Sequence, residues 1–244
     1  MTNQSNQRNQ TIQMPHPPAR LTLALLALLA ITFATSAASA QSSRRPRRES
    51  NANRKARIAR TIAETYSHRW EAGGGGGYER FRSGQFQQRD NQVTFWASTL
   101  YSLSPKLGVL GEVRGGFGKA KLTNILPSGN VLPFKPQISE YSFMAGPSYR
   151  IIRKEKFSAS VFATGGLGLG KFDGDSKGLS AKDIGVWTGT FAPNFSAGVN
   201  LDFNLYPNLA FRLSPNYLGS VYGGTLQNNK GINAGFVYRF GKIK

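Results

Sequence analysis

The stretch Asn194-Phe195-Ser196-Ala197-Gly198-Val199-Asn200-Leu201-Asp202-Phe203-Asn204-Leu205 decides the fold. Its odd positions are all apolar, and its even positions are all polar or glycine. Six alternations at a period of two define a β-strand with one oily face and one wet face. The run Leu209–Val221 keeps that period, setting Leu209, Phe211, Leu213 and Tyr217 against Arg212, Ser214 and Asn216. Tyr206-Pro207-Asn208 has turn chemistry, so the two runs read as a hairpin around a three-residue loop. Counting back from the loop sets Asp202 opposite Arg212 and Phe203 opposite Phe211.

The same unit recurs outward in both directions. Arg69–Arg82 reads as the first strand, and its glycine run Gly73–Gly77 marks close backbone approach or a bend. No Lys-Ser/Thr follows that run, so it is not a phosphate loop. Gln92–Leu103 and Leu107–Gly118 flank Ser104-Pro105-Lys106, a second use of the hairpin device. Glu140–Ile151 sets Tyr141, Phe143, Ala145, Pro147 and Tyr149 against Glu140, Ser142 and Arg150. Phe157–Leu169 and Gly231–Gly241 complete eight strands. Connections near 105, 154 and 207 are tight, and those near 86, 128, 182 and 226 are longer. An even antiparallel meander with one short-loop end and one long-loop end describes an all-β, up-and-down transmembrane barrel. Strands of this length cross a thin bilayer at a tilt.

Alternation alone also fits a soluble periplasmic ligand-binding barrel, oily inside and polar outside. The polar faces decide against it. They carry Ser, Gly and Asn with few charges, where a solvated face carries abundant Lys and Glu. Small residues suit the interior of eight strands, which side chains just fill. Aromatics at strand ends, among them Tyr101, Tyr149, Phe157, Phe203, Tyr206, Tyr238 and Phe240, suit an interfacial girdle.

Gly77-Tyr78, the strand end Gly146-Pro147-Ser148-Tyr149-Arg150, and the closing Phe236-Val237-Tyr238-Arg239-Phe240 carry a resemblance. Over about residues 69–244 the chain resembles the small eight-stranded outer-membrane barrels, the superfamily of the outer-membrane protein A transmembrane domain and its porin-family relatives. The resemblance implies an integral protein of a Gram-negative cell envelope, in contact with outer-membrane lipid and inserted by the barrel-assembly machinery. In that family the last strand commonly ends on an aromatic, which that machinery reads; here Gly241–Lys244 follow Phe240.

The first forty residues read as a signal peptide. Leu21–Phe33 is apolar, Arg20 precedes it, and Ala38-Ser39-Ala40 is a cleavage signal, so the mature chain is expected to begin at Gln41. Met14 would open a conventional signal peptide as well as Met1 does. Residues 41–68 form a basic arm with eight basic and two acidic residues, among them Arg44, Arg45, Arg47 and Arg48. Gln41–Asn53 is expected to be disordered and Ala56–Tyr66 to form a short helix. The arm reads as a solvated linker, or as a contact to anionic lipid or an envelope polymer. Against 12 acidic residues the chain carries 31 basic ones, a net charge of +19. That balance raises nucleic acid as a partner, but none is expected of an exported chain.

Chemistry is constrained by what is missing. Cysteine is absent, which removes disulfides and thiolate sites. The two histidines are His16, in the signal peptide, and His68, just before the first strand, so no histidine is available for acid–base catalysis at the long-loop end. Asp173-Gly174-Asp175 opens like a calcium loop, but Lys177 and Ile184 occupy ligand positions, so it reads as a turn. No enzyme, cofactor or metal is expected. Two site readings follow. Glu71, Glu112, Arg114, Arg150, Asp202, Arg212 and Arg239 should face inward as a lumen charge network, making a structural or narrow, plugged porin-like barrel. Alternatively the long loops make an adhesin-like surface, with Ile125, Leu126, Phe134, Ile184, Trp187 and Phe191 as binding candidates.

Overall fold

A computed structural model describes residues 50–85, 87–122, 135–188 and 191–243. The expected signal peptide with its cleavage site, and the loop candidates Ile125, Leu126 and Phe134, lie outside the described residues.

Eight antiparallel strands close into a barrel in chain order. They are β1 (Trp70–Arg82), β2 (Arg89–Ser102), β3 (Leu107–Lys119), β4 (Gln137–Arg153), β5 (Phe157–Gly174), β6 (Phe191–Tyr206), β7 (Leu209–Ser220) and β8 (Gln227–Phe240). Closure runs through the β1–β8 pairing, from Trp70 opposite Phe240 to Arg80 opposite Lys230. A closed barrel has no sheet edge, so ladder hydrogen bonding is complete in a medium that offers none.

The glycine run makes this seam. Gly75 pairs with Gly235, and a Cβ on Gly75 would stand 2.6 Å from the Gly235 Cα. A Cβ on Gly77 would stand 2.6 Å from the Ile232 carbonyl oxygen and 2.7 Å from the Thr94 hydroxyl. Close approach, one of the two readings of the run, is what the seam requires.

The decisive hairpin pairs Asp202 with Arg212 and Phe203 with Phe211. Its loop differs from expectation. β6 runs to Tyr206, which pairs with Leu209 after a register shift past Asn204, so Pro207-Asn208 form a two-residue turn beside a bulge. The extra residue is absorbed in the strand without disturbing the pairs below it.

Side-chain parity holds along the strands between the register shifts at the ends of β4 and β6. Phe95, Phe143, Tyr149, Phe195, Phe203 and Phe236 are exposed on the outer wall, while Ser142, Ser148, Ser160, Asn194, Ser196 and Asn200 are buried inside. This is the reverse of a soluble ligand-binding barrel, and the outer wall, where aromatics meet as Phe95–Phe117–Tyr141 and Tyr238–Phe240, suits lipid.

Helix α1 (Asn51–Thr65) precedes the barrel. It starts earlier than expected because Ser50 is an N-cap, its hydroxyl accepting from the Asn53 amide at 3.2 Å. Much of the helix is exposed, and its end is buried at Thr65 and Tyr66.

Candidate functional site in the barrel lumen

The lumen is filled with side chains, and its contents differ between the two ends. At the short-turn end Glu71 of β1 is the hub. Its Oε1 accepts from Arg239 Nε at 3.1 Å and from Arg150 Nη2, and its Oε2 accepts from Arg212 Nη2 at 3.0 Å. Asp202 is the second acid. It accepts from Arg212 Nε at 2.6 Å, Arg212 Nη2 at 2.9 Å and Arg239 Nη2 at 3.0 Å, with the Ser158 hydroxyl at 3.4 Å. Two carboxylates thus hold three guanidinium groups from β4, β7 and β8. Every carboxylate oxygen accepts at least one charge-assisted bond, the strongest class available to side chains.

A lid stands below this network. The Arg150 guanidinium lies 5.2 Å from the ring centre of Tyr66, the residue that ends α1. The Tyr66 hydroxyl donates to the Lys154 carbonyl at 2.7 Å and accepts from Asn204 Nδ2 at 3.2 Å. Asn204 Oδ1 in turn accepts from Arg239 Nη1 at 2.8 Å, so the lid and the network share partners. Arg57 of α1 also pairs with Glu155 in the β4–β5 turn at 3.5 Å.

Higher in the lumen, Arg114 Nε donates to Glu112, while Nη1 reaches Asn216 Oδ1 at 2.7 Å and Nη2 reaches Ser196 Oγ at 3.2 Å. A cavity of about 10 Å³, whose wall includes Trp96, Leu110, Glu112 and Arg212, adjoins this pair. Leu100, Leu110 and Phe162 form an apolar cluster inside the barrel. The seven expected lumen charges are therefore not one network. Five are joined through Glu71 and Asp202, whereas Glu112 and Arg114 pair with each other two residues apart on β3.

Three buried acids escaped the sequence reading of the site: Asp90, which accepts from the Ser83 hydroxyl at 2.9 Å, and the two lumen acids Glu79 and Glu140. Glu140 accepts from the Tyr222 hydroxyl at 3.2 Å and from Asn194 Nδ2 at 3.3 Å. Tyr222 lies in the turn after β7, where burial first and the neighbouring Glu140 second raise its phenol above the ordinary range. It therefore stays protonated as a donor. Glu79 Oε1 has no hydrogen-bond partner among the described residues, nor has Gln92 Nε2 or Asn194 Oδ1. Glu79, Gln92, Arg114 and Glu140 line a further cavity of about 10 Å³, roughly the size of one water. Parity was the signal for both lumen acids: Glu79 shares the inward face of Glu71, and Glu140 that of Arg150.

The long-loop end is stoppered by apolar side chains. Phe81, Ile138, Phe172, Ile184, Trp187 and Tyr222 belong to one buried cluster. The loop after β5 is tied down by backbone bonds, the Trp187 amide donating to the Ser83 carbonyl at 2.8 Å and its indole Nε1 to the Arg82 carbonyl at 3.0 Å. Ile184 and Trp187 are therefore corrected as binding candidates: they turn inward, and buried side chains present no docking surface. Phe191, 70% exposed, stands on the outer wall at the start of β6. Asp173-Gly174-Asp175 leads into a turn with φ of 57° at Asp175 and 51° at Lys177. Nearby, Asp183 accepts from the Ser180 hydroxyl at 2.6 Å and its amide at 3.2 Å, which holds that carboxyl below its usual range. Among the described residues, no group of three or more acidic or histidine side chains is placed to hold a metal.

No protein-family model matches the chain, and no curated protein matches it. Solved structures do. Neisserial surface protein A aligns at 12% identity with a TM-score of 0.50, over 70% of this chain and 97% of that one. The attachment invasion locus protein of Yersinia pestis, solved with the heparin analogue sucrose octasulfate, aligns at 20% identity and TM-score 0.45, over 70% and 97%. The outer membrane protein OprG of Pseudomonas aeruginosa aligns at 11% identity and TM-score 0.47, over 72% and 98%. The likeness is one of fold, and the architecture is that of the small eight-stranded outer-membrane β-barrels. The apolar outer wall of this chain independently assigns it to a bilayer.

Proposed function

We propose that this chain is a non-enzymatic integral outer-membrane barrel with a closed lumen, exported by a signal peptide cleaved after Ala40. The observation that carries this reading is the filling of the interior by the described residues: a tyrosine lid and ion-pair network below, an apolar stopper above, and between them water-sized cavities of about 10 Å³ beside Glu112 and beside Glu79. Among the described residues, such a lumen offers no path to a hydrated solute. The short turns face the periplasm and the long loops face outward, as in barrels of this class. Outer-membrane lipid surrounds the wall, and the barrel-assembly machinery inserts the chain. The exposed Arg54, Lys55 and Arg60 of α1, with the basic arm before it, meet anionic lipid or an anionic envelope polymer on the periplasmic side.

Planar-bilayer recording of the purified chain tests the closed lumen. Quiet membranes after verified insertion are expected. Regular ohmic steps from the unmodified chain would replace the plug with a pore.

A further inference from the structure

The outer wall carries an arrangement that lipid contact alone does not explain. On β1, Arg80 and Arg82 face outward above Tyr78. Arg80 pairs directly with Lys230 of β8, and Arg82 pairs directly with Arg89 of β2. Lys119 of β3, one residue past the Gln92–Gly118 pair, extends the patch beside Asn91. Like charges directly opposite on one sheet face are destabilising, yet two such pairs stand side by side. The acids of these strands give no relief: Glu71, Glu79, Asp90 and Glu112 are all buried on the inward face. Among the described residues, none of the five cations is ion-paired with a carboxylate.

The patch is confined to one wall. At the same end of the barrel, β4 offers Ser139 and Gln137, β6 offers Pro193 and Phe191, and β7 offers Gly219; β5 carries one cation, Lys171, with the acid Asp173 two residues beyond it. Directly below the cations lies an apolar ledge, where Tyr78 pairs with Val93 on one side and Ile232 on the other. All three are exposed, Val93 at 72%. Tyr78 donates to Asn91 Oδ1 at 2.6 Å, fixing the level at which apolar wall gives way to charge.

We infer that this wall, over β8, β1, β2 and β3, is a binding site for an anionic lipid whose headgroup carries two phosphates. The Arg80–Lys230 and Arg82–Arg89 pairs each take one phosphate, converting two repulsions into charge-assisted bonds that guanidinium groups make bidentately. The pairs sit two residues apart along β1, about 7 Å, a separation that one headgroup spans. The acyl chains run down the Tyr78–Val93–Ile232 ledge, which a free polyanion would leave unused. The site rests on the reading of the chain as a bilayer barrel with its long loops outward, and it is independent of whether the lumen conducts.

The purified full chain, folded in zwitterionic micelles, is titrated with a synthetic bisphosphorylated lipid, the same lipid dephosphorylated, phosphatidylglycerol, and inorganic pyrophosphate. Retained lipid is counted by native mass spectrometry. The bisphosphorylated lipid should be held at least about tenfold more tightly than the other three. The double variants Arg80→Gln/Lys230→Gln and Arg82→Gln/Arg89→Gln should each lose about tenfold, the scale of one charged hydrogen bond. Lys171→Gln should change nothing. Heat-shifted migration on gels confirms that each variant is a folded barrel, so selectivity lost by a folded variant supports the site, while an unmodified chain that shows no heat shift counts against the membrane reading instead. Equal retention of phosphorylated and dephosphorylated lipid would overturn the site. So would unchanged selectivity in both double variants, or pyrophosphate or phosphatidylglycerol binding as tightly as the bisphosphorylated lipid.

Discussion

The two halves of the lumen hold the same kinds of residue with their carboxylates in different states of satisfaction, although Arg150 Nε in the lower half also lacks a hydrogen-bond partner among the described residues. In the lower half, Glu71 and Asp202 face Arg150, Arg212 and Arg239, and every carboxylate oxygen accepts a bond from a guanidinium. In the upper half, Arg114 pairs with Glu112, Glu140 accepts only from the neutral donors Tyr222 and Asn194, and Glu79 Oε1 accepts nothing from the described residues. A buried charge is tolerated at low cost only where pairing and hydrogen bonding are complete. The lower half is therefore a lock whose members depend on one another. The upper half is an underpaired layer that the apolar stopper encloses.

This contrast orders the expected effects of substitution. The largest belongs to the hub. Glu71→Gln leaves Arg212 and Arg239 with Asp202 alone and Arg150 with no carboxylate, and should cost about 3–5 kcal/mol in urea unfolding from lipid vesicles. Next comes the cross-strand pair. Asp202→Ala and Arg212→Ala should be subadditive when combined, by about 0.5–3 kcal/mol, because they share one interaction. Strict additivity would mean that the pair contributes no coupling. A smaller effect belongs to the lid. Tyr66→Phe loses the hydroxyl that bonds the Lys154 carbonyl and Asn204, and should cost about 0.5–1.5 kcal/mol while leaving the ring over Arg150.

How far each half was legible depends on the interaction that defines it. The Asp202–Arg212 pair could be counted from a tight turn, since a hairpin propagates its register along both strands. The turn is one residue shorter than counted, and the bulge beside Tyr206 supplies the missing residue on the turn side of the pair, so the count holds at Asp202. The role of Glu71 could not be counted. Its three arginines lie on β4, β7 and β8, and their heights depend on barrel tilt and on the β1–β8 closure, 168 residues apart in the Glu71–Arg239 bond. Glu79 and Glu140 were readable as inward-facing by parity, but not as neighbours, for the same reason. Ile184 and Trp187 belong to a loop without period, where nothing in the sequence distinguishes inward from outward. Their burial follows from backbone bonds to Ser83 and Arg82 across the mouth.

The most direct test compares Glu71→Gln with Glu79→Gln, two isosteric losses of a buried carboxylate on the same face of the same strand. Urea unfolding from vesicles, followed by the shift between folded and unfolded forms on unboiled gels, reads both on one scale. The account predicts that Glu71→Gln loses about 3–5 kcal/mol, while Glu79→Gln stays within about 1 kcal/mol of the parent or exceeds it. Equal losses from the two, or a larger loss at Glu79, would contradict the division of the lumen into a satisfied lock and an underpaired layer.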